Sequence, residues 1–227
     1  MLVLTAIGSV VLVVVGRRIR GRAAATVLSR VFAVVLFGFS VVNLIRELLP
    51  SVFNIAGSIP LQLSDVLRFV CAYALWSRRF WAVSLVYYWA LSFNVQSLVT
   101  PNLHLGAHPV YEFIAYWAPH ILVMWTVMLL IWGLGQRPDW RSYRLAILAT
   151  LIWAIVAFTF NVLAGTNYGF LNATPASPSL LDVMGPWPIY LLVAFVAMFV
   201  VWALMTLPWT VRRRISSDLP GTPASPD

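Results

Sequence analysis

The chain has 227 residues, of which 61% are hydrophobic and only 10% charged, against roughly 45–50% and 25% in an ordinary soluble domain. That excess excludes a single water-soluble core, because the long uncharged stretches leave too little charged surface to keep such a core dissolved. The formal net charge of +8 does not signal nucleic acid, since the arginines sit in short clusters beside apolar runs, and the single cysteine, Cys71, excludes an intrachain disulfide or a cysteine-based metal site.

In chain order, the first apolar run, 2–15, precedes its arginines, the reverse of a secretory signal, and reads as a span with its N-terminus outside. It is shorter than the ~20 residues a helix needs to cross the hydrocarbon core. Further runs at 23–44, 59–76, 80–98, 113–134, 145–163 and 187–207 bring the expected count to seven. Backbone amides in lipid must be satisfied within each segment, so these are predicted helices, not barrel strands.

The connectors test the count independently. Arg17, Arg18, Arg20 and Arg22 follow the first run, Arg78 and Arg79 the third, Arg137, Arg141 and Arg144 the fifth, and Arg212, Arg213 and Arg214 the last. The alternate connectors hold only Arg46. This alternation predicts an all-α, polytopic transmembrane helix bundle of seven spans, N-terminus outside and C-terminus cytoplasmic, multi-pass in a cell membrane. The transmembrane domain is expected at 1–210, and 211–227 reads as a basic, then disordered, cytoplasmic tail. Trp76, Trp81, Trp132, Trp140, Trp187 and Trp209 lie near span ends and read as interfacial anchors.

Charged side chains at the centre of a membrane helix cost ~2.5–3.5 kcal/mol on insertion scales and point to an interior site. In the third run Gln62, Asp65 and Arg68 are spaced by three, with Ser64 alongside, which puts them on one face. Two readings stay open: Asp65 and Arg68 neutralise each other along one helix, or they join Asn43, Asn94, Gln96, His120 and Asn161 around a polar cavity in the outer half of the bundle. His120 follows Pro119 and shares a helix face with Glu112 and Tyr116. It reads either as an interhelical hydrogen-bond donor or as the group best suited to proton transfer.

His104, His108 and Glu112 have zinc-like spacing, but Pro101, Gly106 and Pro109 break the helix such a face needs, so no metal ligand is assigned. No glycine-rich phosphate loop, nucleophile elbow or HExxH is present, and no cofactor is expected. The connector before the last run has NYG turn chemistry and a proline-marked helix entry, with Asn167, Tyr168 and Asp182 placed to rim or cap a cavity.

That connector, TNYGFLNATPASPSLLDVMGPWPIY at 166–190, resembles the signature of the bacterial YwaF family of integral membrane proteins. IPLQLSD at 59–65 resembles the family's PLHLCD motif, NVQSLVTPNL at 94–103 its Q-x-L-x-TP segment, and His120 the histidine of its fifth span; the likeness runs from about residue 24 to 208. The resemblance implies a bacterial cytoplasmic membrane. The family is similar to eukaryotic transmembrane acyltransferases that move acyl chains between phospholipids with a Cys/His pair. That relation implies lipid acyl transfer or hydrolysis, with Ser64 standing where the motif has cysteine, Gln62 where it has histidine, and His120 as base.

Membrane lipid is the expected partner. The alternatives are a small-solute or ion transporter lined by Asp65, Arg68 and the asparagines, or a non-catalytic scaffold or lipid-binding protein whose polar cluster holds the helices together.

Overall fold

In a computed structural model, which describes residues 1–217 except 102, 104, 177 and 178, the chain forms eight α-helices, and no strand occurs among the described residues. They are α1 (Leu2–Ile19), α2 (Ala23–Glu47), α3 (Leu63–Ser77), α4 (Phe80–Leu91), α5 (Phe93–Val99), α6 (Pro109–Met128), α7 (Trp140–Ala164) and α8 (Ile189–Ser217). A π-helical turn, Leu129–Gly133, extends α6, and 3₁₀ turns lie at Tyr168–Phe170 and Leu180–Met184.

Six helical stretches are long and apolar enough to cross a membrane: Leu2–Ile19, Ala23–Glu47, Phe80–Val99, Pro109–Gly133, Trp140–Ala164 and Ile189–Val211. The chain is a multi-pass membrane protein. The first stretch is longer than its apolar run, because the helix continues through Arg17 and Arg18, with the Arg17 Nε–H reaching the Trp132 carbonyl at 3.2 Å. The third predicted run, 59–76, gives a helix shorter than expected. Residues 59–61 are held in a turn closed by Leu61 N–H to the Ile59 carbonyl at 2.7 Å, so the helix starts only at Leu63. Its 15 residues rise roughly 22 Å at 1.5 Å per residue.

α4 is the centre of the bundle: every residue from Ala82 to Ala90 is buried, against α3, α6 and α7. α2 packs on α3, and α1 on α6 and its π-turn. Gly16 makes that last crossing possible, since a Cβ there would sit 2.8 Å from the Gly133 Cα. Hydroxyls inside the apolar helices bond back one turn, as Ser40 Oγ does to the Leu36 carbonyl and Thr150 Oγ1 to that of Ala146 (2.7 and 2.8 Å). Broad bands of exposed valine, leucine and isoleucine cover the outer faces of α1, α2, α7 and α8, as suits a lipid-facing surface.

The arginine-bearing connectors gather at one end. Arg20 lies against Gly135, Arg78 donates to Ser29 Oγ at 3.3 Å, and Arg141 sits over the Phe80 ring at 5.8 Å. The opposite end is built from the described residues of the segments 48–62, 92–112 and 165–188. Of the expected anchors, Trp76, Trp81, Trp140 and Trp187 are exposed, whereas Trp132 and Trp209 turn inward onto Tyr87, whose hydroxyl accepts from the Trp209 indole at 2.9 Å. Of the expected tail, α8 carries the chain to Ser217, and residues 218–227 lie outside the described residues.

Candidate functional site

At the arginine-poor end, α3, α5, α7, α8 and the connector before α8 enclose a partly open cavity of about 250 Å³. Its walls are largely apolar, with Leu67, Phe93, Trp153, Phe195 and Met198 among them, and its polar lining includes Gln62, Ser64, Asn94, Gln96, Ser97 and Thr100. Apolar walls with a few converging polar groups suit an amphiphilic ligand.

A break between α4 and α5 positions Asn94. Ser92, at φ −113° and ψ −76°, ends α4; its hydroxyl donates to the Tyr88 carbonyl at 2.5 Å and accepts the Trp202 indole N–H at 3.2 Å. The chain then re-enters a helix at Phe93, which turns Asn94 toward α6. Asn94 is 3% exposed. Its Nδ2 donates to the His120 carbonyl at 3.0 Å and its Oδ1 lies 2.7 Å from His120 Nδ1.

These two contacts decide the histidine tautomer. With the Asn94 amide nitrogen committed to a carbonyl, its oxygen faces the ring, so Nδ1 carries the proton and Nε2 keeps a free lone pair. Nε2 makes no hydrogen bond among the described residues. The Tyr116 ring packs on the imidazole with centroids 4.7 Å apart, and its hydroxyl donates to the Ser97 carbonyl at 2.8 Å. An imidazole oriented by a carboxamide is a competent general base, the arrangement used by Cys-His-Asn enzymes. Ser64 lines the cavity and makes no hydrogen bond, to His120 or otherwise, among the described residues.

Asn43, Asp65 and Arg68 do not line the cavity but cluster between α2, α3 and α6. Arg68 Nη2 lies 2.8 Å from Asp65 Oδ1 within α3, and Tyr111 Oη donates to Asn43 Oδ1 at 2.5 Å. Glu47, one turn after Asn43, lies within the field of Arg68, and Arg46 stacks over the Tyr111 ring at 3.9 Å. Glu47 went unnoticed in the sequence although its spacing from Asn43 is that of a shared helix face.

The remaining residues build the wall of the cavity instead of its interior. Asn161 Nδ2 donates to the Tyr168 carbonyl and Asn172 Oδ1, both at 2.9 Å, while its Oδ1 accepts from Thr166 Oγ1 and Tyr168 N at 2.8 and 2.7 Å. Asn167 Oδ1 accepts from the backbone of Asn172 and Ala173 at 3.0 and 3.1 Å. Tyr168 is fully buried; its hydroxyl donates to the Ile55 carbonyl at 2.7 Å and accepts from Ile59 N at 3.0 Å, and burial pushes its pKa up. Asp182 closes a capping box with Ser179 at 2.7 Å.

Gly169, at φ +67°, donates its N–H to Gln62 Oε1 at 3.0 Å and leaves room for Trp153, which would lie 2.4 Å from a Cβ there. The Trp153 indole in turn donates to the Leu61 carbonyl at 3.0 Å. Trp153, Ser97 and Thr100 are cavity residues that sequence reasoning missed; the three-residue step from Asn94 to Ser97 was the one available signal.

Glu112 accepts from the backbone N–H groups of Gly106 and His108 ahead of α6, and His104 lies outside the described residues. Among the described residues no group of three or more histidine, cysteine or acidic side chains could hold a metal ion.

No curated protein and no solved structure matches the chain. The sequence profile of one family of membrane proteins matches residues 1–206, nearly the whole length, and the chain therefore belongs to the TMEM164 family.

Proposed function

We propose that the protein transfers or hydrolyses an acyl ester of a membrane lipid, with Ser64 as nucleophile, His120 as general base and Asn94 as the residue that orients it. The observation that carries this reading is the Asn94–His120 pair: both polar atoms of one carboxamide are spent on His120, and Asn94 itself lines the largely apolar cavity together with Ser64, although His120 is not among the lining residues. His120 Nε2 accepts the Ser64 hydroxyl proton as Oγ attacks the ester carbonyl. The carbon–oxygen bond to the glycerol breaks, and the departing alkoxide takes that proton from His120. A second lipid hydroxyl, or water, then attacks the acyl-serine by the same route. Hydrogen bonds of this kind commonly tighten only once substrate is bound.

On the same reading the likeness of the motif segments to the YwaF family indicates a bacterial cytoplasmic membrane. α3 crosses with the six longer helical stretches to make seven spans, the N-terminus is outside, and the arginine-poor end that carries the cavity faces outward.

The test is reconstitution of the full chain in vesicles holding a phospholipid with isotopically labelled acyl chains and an unlabelled lysophospholipid. Lipid mass spectrometry is expected to show label appearing on the lyso acceptor or as free fatty acid. Rates should fall by roughly 10²–10⁴ in His120→Ala, and a fluorophosphonate should modify Ser64. Turnover unchanged in Ser64→Ala would remove the serine from the mechanism.

A further inference from the structure

The cavity has one open end and one closed end. Of its lining residues only Gln96 and Thr100, on the last turn of α5 and at its C-cap, are exposed, whereas Leu67, Thr150 and Met198 are buried. Trp89 and Trp202 back the closed end without lining it. Both are buried and both are pinned, Trp89 by its indole N–H to Thr150 Oγ1 at 2.8 Å and Trp202 to Ser92 Oγ at 3.2 Å. Trp202 follows Met198 by one turn of α8, and its ring centroid lies 5.9 Å from that of Phe93. A close-packed floor with both indoles hydrogen-bonded does not give way to a longer ligand.

The two ends differ in polarity. Gln62, Gln96, Ser97 and Thr100 line the outer part, while Thr150 at the inner end spends its hydroxyl on the Ala146 carbonyl and the Trp89 indole. The inner end thus offers a ligand apolar surface. No lining residue carries a formal charge, so a charged head is not drawn in, and an amphiphile enters hydrocarbon first. Two dimensions then give similar lengths. The volume of about 250 Å³ holds roughly eight heavy atoms at the ~30 Å³ that a small molecule takes in a liquid. The lining residues of α8 run from Tyr190 to Met198, a rise of roughly 12 Å, which an extended chain of carbon–carbon bonds covers in about ten carbons.

We infer that the cavity takes a medium-length acyl chain tail first, and that Met198, with Phe93 and Thr150, sets the limit at about eight to ten carbons. The inference rests on the lipid-ester reading for the ester at the outer end of that chain; the length limit rests on the cavity itself.

The test uses the purified full chain in a neutral steroid-based detergent, whose rigid skeleton cannot thread the cavity, with an equimolar series of 1-O-alkylglycerols of six to eighteen carbons. These neutral ethers carry no ester, so their retention, read by native mass spectrometry, is independent of acyl chemistry. Relative to each probe's concentration in the micelles, retention by wild type is expected to stay level up to about ten carbons, because each methylene exchanges one apolar medium for another. By fourteen carbons it should fall at least roughly fivefold, the effect of overpacking a closed end. Met198→Ala should move the fall about two to three carbons higher by opening the floor, and Ala194→Phe, which narrows the lining, should move it lower. A length limit without turnover of any labelled lipid would support the inference and remove the acyl chemistry instead. Level retention out to eighteen carbons by wild type, or retention of no chain at all, would overturn it, and neither comparison needs a variant.

Discussion

Replacing Asn161 tests whether the connector before α8 is held as a wall of the cavity by one buried side chain. Asn161 is 1% exposed and makes four hydrogen bonds to residues 166–172. Leucine fills a similar volume, so the cavity contribution is small, and the loss is mainly those four bonds at ~1 kcal/mol net each. Asn172 can recover water at the membrane surface, whereas the buried Thr166 hydroxyl and the N–H and carbonyl of Tyr168 cannot easily do so, which leaves about 2–3 kcal/mol. For a chain of this size that is a fall of roughly 4–12 °C in Tm. Asn161→Asp should be at least as damaging, because both donations become oxygen-on-oxygen contacts. Thermal unfolding in detergent, followed by tryptophan fluorescence and by proteolysis at 165–176, gives the measure. If both variants unfold within about 2 °C of wild type, Asn161 does not hold the connector and the argument fails.

Gly16→Ala should destabilise by about 1–3 kcal/mol through overpacking at the α1 crossing, whereas Gly38→Ala, with nothing within 4 Å of its Cβ, should be neutral or stabilising by up to ~1 kcal/mol; paired melts in one detergent separate the two. Gly169→Ala should lower stability by about 2 kcal/mol or more, from a positive φ and displacement of Trp153, with faster proteolysis of the connector as the accompanying sign. Tyr168→Phe should cost about 1–2 kcal/mol at neutral pH by breaking the links to Ile55 and Ile59. Burial raises the Tyr168 pKa above its reference value of 10.0, so its stabilisation is complete below that pH and is lost as pH rises through the folded-state value. The Phe variant should therefore lose less stability than wild type on alkaline titration, and parallel curves above pH 10 would count against the assignment.

Much of the site was visible as single residues and little of it as an arrangement. Asn94, His120, Asn43, Asp65 and Arg68 stand out because polar groups inside apolar runs are costly. That Asn94 meets His120 depends on the break at Ser92, and that break is stabilised by Tyr88 and by Trp202, a residue 110 positions away. Gln62 shares its spacing with Asp65 and Arg68, yet it precedes α3 and turns to Gly169, so one apparent stripe divides between two sites. Asn161, Asn167, Tyr168 and Asp182 looked like a rim and instead brace the wall, since each spends its polar atoms on the connector's backbone or on the neighbouring loop.

Composition and apolar run length by themselves determined that the chain is helical and lives in lipid, because backbone amides there have no partner outside their own segment. The arginine clusters likewise anticipated that the connectors following α1, α3 and α6 would share one end of the bundle, since charge is confined to where water is. Tertiary structure alone decided where α1 ends, where α3 begins and which histidine nitrogen is free. Each of these depends on contacts between distant segments that the local period of a helix does not encode.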